Sequence, residues 1–460
     1  MVVPRRRFLA MGIRAGLAAP FLASAACRAE TPAAPSVPEP SPLPASALDL
    51  RRRFSDLRRH FLFEYYPWWG GPPDYEHWDY QGRNAPIDIG ANYMPRLGPY
   101  DVRSAAVLEQ HARWINESGV GAVALSWWGR GSWEDQRVPL IMDVMRAHDV
   151  KVTFALEPYD ARGRRFADDV LFLLREYGDK RGFDAFLLLR DADGKQGPVF
   201  KGFRCILPET TTDCRGRRYD VPDYTPDGEW RRQTDALRDA VRGSFDKVTL
   251  LADSLEFVRT PASGFDGIGI YDNFIAPEDY AGYAAGASRA GLVFSFNVNP
   301  GYDQIEPREA PPGGSRAPDP TDPCYVPRST AASADVVDWS KAEEREKAAQ
   351  ASRDRMRESF EATVEVQTDP TLSNARRGFF LVYINSFNEW HEGHAIEPMR
   401  NAADLLPGER PFAYHNPAIG DYRLTTLAGL VHGLLGAGPK APGPETPLED
   451  QTPRKGPLHA

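Results

Sequence analysis

The sequence predicts an α/β fold, a (β/α)8 TIM barrel built as a single catalytic domain with long βα loops. Three observations carry this reading. Eight short runs of β-branched and aromatic residues recur along the chain, most of them followed by helical periodicity. The runs are almost continuously apolar, as parallel strands covered on both faces are. Polar and aromatic residues gather at the C-terminal ends of six of them, the end where barrel enzymes carry their active sites.

The first run, HFLFEYYPWW (60–69), ends in Tyr65, Tyr66, Trp68 and Trp69, and the amphipathic AAVLEQHARWINES follows it. VGAVALSWWG (120–129) ends in Trp127 and Trp128, ahead of the helical VPLIMDVMRAHD. KVTFALEPY (151–159) ends in Glu157 and Tyr159 and leads to FADDVLFLLREYG. FDAFLLLR (183–190) is read as the fourth strand, with EWRRQTDALRDAVRGSF as its helix. KVTLLADS (247–254), FDGIGIYDNF (265–274) and GLVFSFNVNP (291–300) follow; the second of these ends in Tyr271, Asp272 and Asn273, the third in Asn297 and Asn299. The helix EREKAAQASRDRMRESFEATV precedes the eighth run, GFFLVYINSFN (378–388), which opens into Glu389 and Glu392. Core packing accounts for one Tyr or Trp at a strand end. Six strands ending this way point to a cleft.

With 460 residues, 42% apolar and 26% charged, the composition is globular, and 41 prolines and 39 glycines imply many loops. The net charge of −9 is spread without a basic run beyond the first residues, which argues against nucleic acid as a partner. Residues 1–26 read as an export signal. Arg5-Arg6-Arg7-Phe8-Leu9 before a short Ala-rich apolar stretch resembles a twin-arginine signal, with a simple Sec signal as the alternative. The expected location is periplasmic or extracellular. Cys27 is a candidate lipid anchor, although Ser24 stands where a lipobox usually has Leu. Residues 27–48 are a Pro/Ala-rich linker, 49–436 the barrel domain and 437–460 a disordered tail. Beyond the signal no run of about 18 apolar residues occurs, so no transmembrane segment is expected. Cys205 and Cys214 bracket a polar loop that a disulfide would close in an oxidising compartment; unpaired thiols are the alternative.

The densest cluster is NSFNEWHEGHAIEP (385–398), directly after the eighth strand. Cores avoid carboxylates and ordinary loops avoid tryptophan, so a segment rich in both suggests a site for something polar with an apolar face, such as a sugar. Glycosidic hydrolysis generally uses two carboxyl groups, and Glu389 and Glu392, three residues apart, share a face if the segment turns helically. Crowding them in an apolar pocket splits their proton affinities into one acid and one base. Asn388, Trp390 and His391 around the pair are taken as sugar-binding positions. His391, Glu392 and His394 are zinc-ligand types, but HEGH lacks the i, i+4 histidine pair, so neither metal nor cofactor is expected. Ser386 lacks nucleophile-elbow glycines. A carbohydrate-binding protein and a glycan-modifying transferase on the same barrel stay open as alternatives.

EYYPWWG, DIGANYMPRLGPY (88–100), LSWWG (125–129), LEPY (156–159), FDGIGIYDNF and above all NSFNEWHEGHAIEP resemble glycoside hydrolase family 99, the endo-α-1,2-mannosidases and endo-α-1,2-mannanases. The resemblance runs from residue 60 to 398. It implies a barrel that cuts internal α-1,2-linked mannose chains of an α-mannan or mannose-containing oligosaccharide, with retention and without a metal. By position, Glu392 matches the general acid/base. Glu389 matches the carboxylate that draws the proton from the substrate's 2-hydroxyl to form a 1,2-anhydro sugar. Glu157 matches a sugar-binding glutamate, Tyr65 or Tyr66 and Tyr271 match active-site tyrosines, and Trp127 and Trp128 match an aromatic subsite wall. The chain departs from the pattern at Phe387, at His394-Ala395 where the pattern has Thr-Gln, and in the Pro-rich 303–340 region.

Overall fold

The computed structural model describes residues 45–305, 329–331 and 338–436. Eight parallel strands make the barrel: β1 (Phe61–Tyr65), β2 (Ala122–Trp127), β3 (Lys151–Leu156), β4 (Gln196–Gly202), β5 (Thr249–Ala252), β6 (Gly267–Gly269), β7 (Val293–Ser295, resuming at Asn297–Val298) and β8 (Val382–Ile384). The two parts of β7 close the ring: Ser295 pairs with Gly269 of β6, and Asn297 pairs with Tyr383 of β8. Helices over Ala105–Glu117, Val138–Ala147, Arg162–Leu173, Asp227–Ala240 and Ala342–Thr368 match the periodic stretches of the sequence. Two further helices, Tyr280–Arg289 and Tyr422–Leu435, escaped that reading. The first is rich in Ala and Gly, which blurs its apolar face.

Side chains alternate across each strand. Leu62, Ala124, Val199, Leu251, Val293 and Tyr383 form one cluster inside the barrel. Phe63, Val123, Phe154, Phe200, Leu250 and Val382 belong to the larger cluster between sheet and helices. The alternation carries through to the strand ends and decides which residues face the site.

The fourth strand corrects the sequence reading. FDAFLLLR does not take that place: it touches β3 through a single bridge at Phe186, then Leu188–Arg190 folds back antiparallel onto Gln196–Pro198. The strand between β3 and β5 is QGPVFKG, 196–202. Its Gly197, Pro198 and Lys201 break the apolar run that marks the other strands. Gly197 is required here, because a Cβ would lie 1.8 Å from the Lys247 carbonyl oxygen.

Cys205 and Cys214 are not bonded to each other. Cys205 is a free thiol buried in the core one turn after β4, and its burial pushes the pKa up to about 11. Cys214 sits on the exposed hairpin Thr210–Thr212/Arg218–Asp220 and is disulfide-bonded. The export signal, Cys27, the tail and most of the 303–340 segment lie outside the described residues. Residues 45–48, read as linker, belong to a helix over Ala45–Arg53. Among the described residues no helix is long and apolar enough to cross a membrane.

Candidate active site

The long loop after β1 and the segment after β8 build a second apolar cluster at the C-terminal end of the barrel. Trp69, Trp78, Tyr93, Tyr100, Trp390, Met399 and Tyr422 are among its members. Behind it runs a buried polar chain. The Tyr65 hydroxyl meets His111 Nδ1 at 2.9 Å, His111 Nε2 lies 3.3 Å from Glu397, and the Tyr100 hydroxyl (2.7 Å) and Trp390 Nε1 (3.2 Å) donate to Glu397. Asn388 clamps the end of β1: it accepts from the Tyr66 N–H at 2.8 Å and donates to the Tyr66 carbonyl at 3.0 Å. Tyr65, Trp127, Asn388 and Trp390, expected at the sugar, are buried and hydrogen-bonded within the protein. Tyr65 and Trp127 point outward from the barrel by strand alternation, and Trp127 donates from Nε1 to Asp135 at 2.8 Å and packs on Phe172.

Their neighbours face inward. Tyr66 lies against Trp68, with ring centroids 4.7 Å apart, and its hydroxyl donates to Glu64 at 3.3 Å. Glu157 accepts from the Ser126 hydroxyl at 2.8 Å. Burial raises the Glu157 pKa to about 7, against the pull of Ser126 and Arg162. Trp128 is half-buried at the end of β2. Tyr271 is held by its backbone, the N–H donating to Asp253 at 3.0 Å and the carbonyl accepting from Asn297 at 2.8 Å and Asn385 at 2.6 Å.

Glu389 and Glu392 lie not on a helix but on a loop and turn after β8, close enough for the charge of Glu392 to act on Glu389. The Glu389 N–H donates to Ser386 Oγ at 2.7 Å, and its carboxylate accepts from the His391 N–H at 2.9 Å. Glu392 Oε2 accepts from the Tyr271 hydroxyl and from His394 Nε2, the latter at 2.8 Å. The turn needs Gly393, whose φ is +68° and whose Cβ would meet the Asp303 carbonyl oxygen at 2.4 Å. Buried Arg423 of the last helix donates to the carbonyls of Gly393 (2.8 Å) and Ala395 (2.7 Å). The two carboxyl groups differ sharply. Burial and the neighbouring Glu392 charge push Glu389 well above the usual carboxylate range. Glu392 is held below it, because the hydrogen bonds from His394 and Tyr271 outweigh its burial. The two carboxyl groups therefore differ in proton affinity, Glu389 holding a proton more readily than Glu392.

Aromatic faces line the pocket. Trp68 stacks on His77 at 4.9 Å, and His391 packs on Tyr80 at 4.6 Å. His391 donates from Nε2 to the His77 carbonyl at 2.9 Å, and burial lowers its pKa to about 4, so the ring is neutral. On the other side Tyr302 packs on Phe274 at 4.8 Å. Ser126, Tyr80, Tyr302 and Arg423 were missed by the sequence reading. Ser126 was findable from strand alternation alone; the others reach the site from loops and a helix distant in sequence. Among the described residues no group of three or more His, Cys, Asp or Glu is placed to hold a metal ion.

The division between Trp127 and Trp128 is testable. Trp127→Ala is expected to lower stability by about 3–5 kcal/mol while leaving sugar affinity of the folded protein intact. Trp128→Ala is expected to do the reverse, weakening inhibitor binding by about 1–3 kcal/mol. Denaturant titration and calorimetry measure the two; an affinity loss confined to Trp127→Ala would reverse the assignment.

A barrel that gathers an acid pair, a third buried carboxyl and aromatic walls at the C-terminal ends of its strands is the framework of a glycoside hydrolase. The model of Glycosyl hydrolase family 99 matches residues 56–190. The glycoprotein endo-alpha-1,2-mannosidase of Rattus norvegicus is 27% identical over 398 residues, which cover 77% of this chain and 71% of that protein. A glycoprotein endo-alpha-1,2-mannosidase-like protein of Danio rerio is 26% identical, covering 77% and 74%. The solved structure of the GH99 endo-alpha-mannosidase from Bacteroides thetaiotaomicron shares the fold, with a TM-score of 0.55 at 22% identity over 82% of this chain and 97% of that one. The chain is similar to glycoside hydrolase family 99 in sequence and in fold, and it is a glycoside hydrolase.

Proposed function

We propose that the protein is an exported, retaining endo-α-1,2-mannosidase or mannanase that cuts internal α-mannosidic bonds with Glu389 and Glu392. The observation that carries this reading is the pair itself: two carboxyl groups on one loop, of opposed proton affinity, facing a pocket with aromatic walls. In the first step Glu389 takes the proton of the sugar's 2-hydroxyl, that oxygen attacks C1, the bond from C1 to the leaving oxygen breaks, and Glu392 protonates the leaving oxygen. In the second, Glu392 takes a proton from water, the water oxygen attacks C1, the C1–O2 bond of the anhydro sugar opens, and Glu389 returns its proton to O2. Two inversions at C1 give net retention.

The two shifts, up at Glu389 and down at Glu392, favour the proton arrangement that exists between these steps. The first step starts from the reverse order. A bound sugar favours that reversal, since its 2-hydroxyl donates to Glu389 and its glycosidic oxygen accepts from Glu392. A cleft of about 600 Å³, lined by Pro158, Tyr159, Arg164, Asp223 and Tyr224 among others, begins one residue beyond Glu157 and offers room for further sugars of a polymer. The export reading rests on Arg5-Arg6-Arg7-Phe8-Leu9 and the apolar stretch after it, with Cys27 as a lipid anchor candidate.

The test is to incubate the protein without residues 1–26 with α-mannans and mannose-capped oligosaccharides, in water and with excess acceptor sugar. Oligosaccharides released from within the chain, with retained configuration, are the expected products. Release of single terminal mannose units, transfer to acceptor without hydrolysis, or binding without cleavage would each overturn the reading.

A further inference from the structure

His394 is fully buried, and its ring makes three polar contacts, the longest between Nε2 and the Tyr271 hydroxyl at 3.3 Å. Nδ1 lies 3.1 Å from Ser386 Oγ, and Nε2 lies 2.8 Å from Glu392 Oε2. Ser386 Oγ already accepts the Glu389 N–H at 2.7 Å, so its own hydrogen is left to donate to Nδ1. That sets the tautomer: Nε2 carries the hydrogen and donates to Glu392. The order is hydroxyl, imidazole, carboxylate, with the Ser386 hydroxyl and both ring nitrogens of His394 satisfied. Ser386 is itself fully buried and serves as a link.

We propose that His394 is a positioning residue for Glu392: its Nε2–H holds the carboxylate by Oε2 and leaves Oε1 for the sugar. The proposal rests on the reading of Glu392 as the acid/base. The mounting is rigid. The Ser386 N–H donates to the His394 carbonyl at 3.1 Å, and Arg423 grips the carbonyls on either side of the histidine. Tyr271 approaches both the imidazole and the carboxylate, its ring centroid 6.0 Å from that of His394, and Tyr302 lies 6.3 Å away. The other titratable groups acting on the pair are Glu157, His391 and Tyr66. None of these three hydrogen-bonds to Glu392, so the donors that stabilise its ionised form are His394 and Tyr271, and they hold its pKa down.

The sign of the consequence is fixed. The pair is inactive when both carboxyl groups are protonated, because Glu389 then accepts no proton. A donor to ionised Glu392 opposes that second protonation, so losing the donor moves the acid limb of the pH profile to higher pH. The base limb follows Glu389 and stays in place.

The test compares wild type with His394→Asn, whose shorter amide reaches Ser386 but not Glu392, with His394→Leu, and with His394→Gln, whose amide reaches the Nε2 position. Two readouts are taken. One is the pH profile of kcat/KM on an α-mannoside that wild type cleaves. The other is the titration midpoint of Glu392 in protein carrying 13C at the glutamate carboxyl carbon, assigned by its absence in Glu392→Gln. The Asn and Leu variants are expected to raise the midpoint and the acid limb by about one to two pH units, the worth of one hydrogen bond to a charged group. His394→Gln is expected to return both toward wild type. A midpoint unmoved in whichever of the Asn and Leu variants folds, or a shift that Gln does not reverse, overturns the proposal. If the midpoint shifts while the acid limb survives unchanged in Glu392→Gln, the reading of Glu392 as acid/base fails and takes the catalytic part of the proposal with it.

Discussion

Glu392→Gln is expected to lose about 10²- to 10⁴-fold in turnover of a natural glycan and far less on a mannosyl fluoride extended by a second sugar. A sugar alkoxide is a poor leaving group and needs the proton that the proposed mechanism assigns to Glu392; fluoride leaves without it. Glu389→Gln is expected to lose a comparable factor on both substrates, because an amide cannot take the proton of the 2-hydroxyl whatever departs. The fluoride needs the second sugar so that the donor side of the pocket is filled and binding losses are not mistaken for chemical ones. Single-turnover rates on the two substrates read the first step directly. Equal losses on good and poor leaving groups in Glu392→Gln, or near wild-type rates in either variant, would sink the assigned roles.

Lys201→Met is expected to destabilise the fold by about 3–5 kcal/mol, the cost of leaving a buried charge without its partner. Lys201 of β4 and Glu64 of β1 form an ion pair across the barrel interior, the lysine 1% and the glutamate 4% exposed at the side chain. The ammonium also lies 4.4 Å over the Tyr383 ring, and burial lowers its pKa to about 8. Removing Lys201 leaves the buried Glu64 carboxylate without its cation and takes a nearby positive charge from Asp253, so the double variant Lys201→Met with Glu64→Leu should recover part of the loss. Because Glu64 also receives the Tyr66 hydroxyl, activity should fall in the single variant even where it folds. Urea unfolding gives the stabilities; a loss below 1 kcal/mol, or a double variant no better than the single, would contradict the pairing.

Much of this molecule is legible without coordinates. Seven of the eight strands, five helices and the placement of chemistry at strand ends follow from apolar runs and periodicity, and Glu389 and Glu392 stand out because carboxylates and tryptophan rarely share a loop. The fourth strand stayed hidden because Gly197, Pro198 and Lys201 occupy places that only a neighbour's backbone or a buried partner explains. His394 was visible as a residue but not as a partner of Glu392, since the turn at Gly393 that joins them depends on Asp303 and Arg423.

The doublets Tyr65-Tyr66 and Trp127-Trp128 mark the boundary most clearly. Alternation says that the two members of each doublet point to opposite sides of the sheet. In a parallel strand apolar on both faces, nothing in the string labels one side as the interior. Closing the ring through β7 supplies the label. Tyr66 and Trp128 then continue the inward rows of Glu64 and Ser126, while Tyr65 and Trp127 are buried under the helices. Local chemistry in the sequence thus names the strand ends and the two glutamates; the side of the sheet each residue faces, and the opposed shifts of the two carboxyl groups, depend on burial and on partners that long-range closure alone assembles.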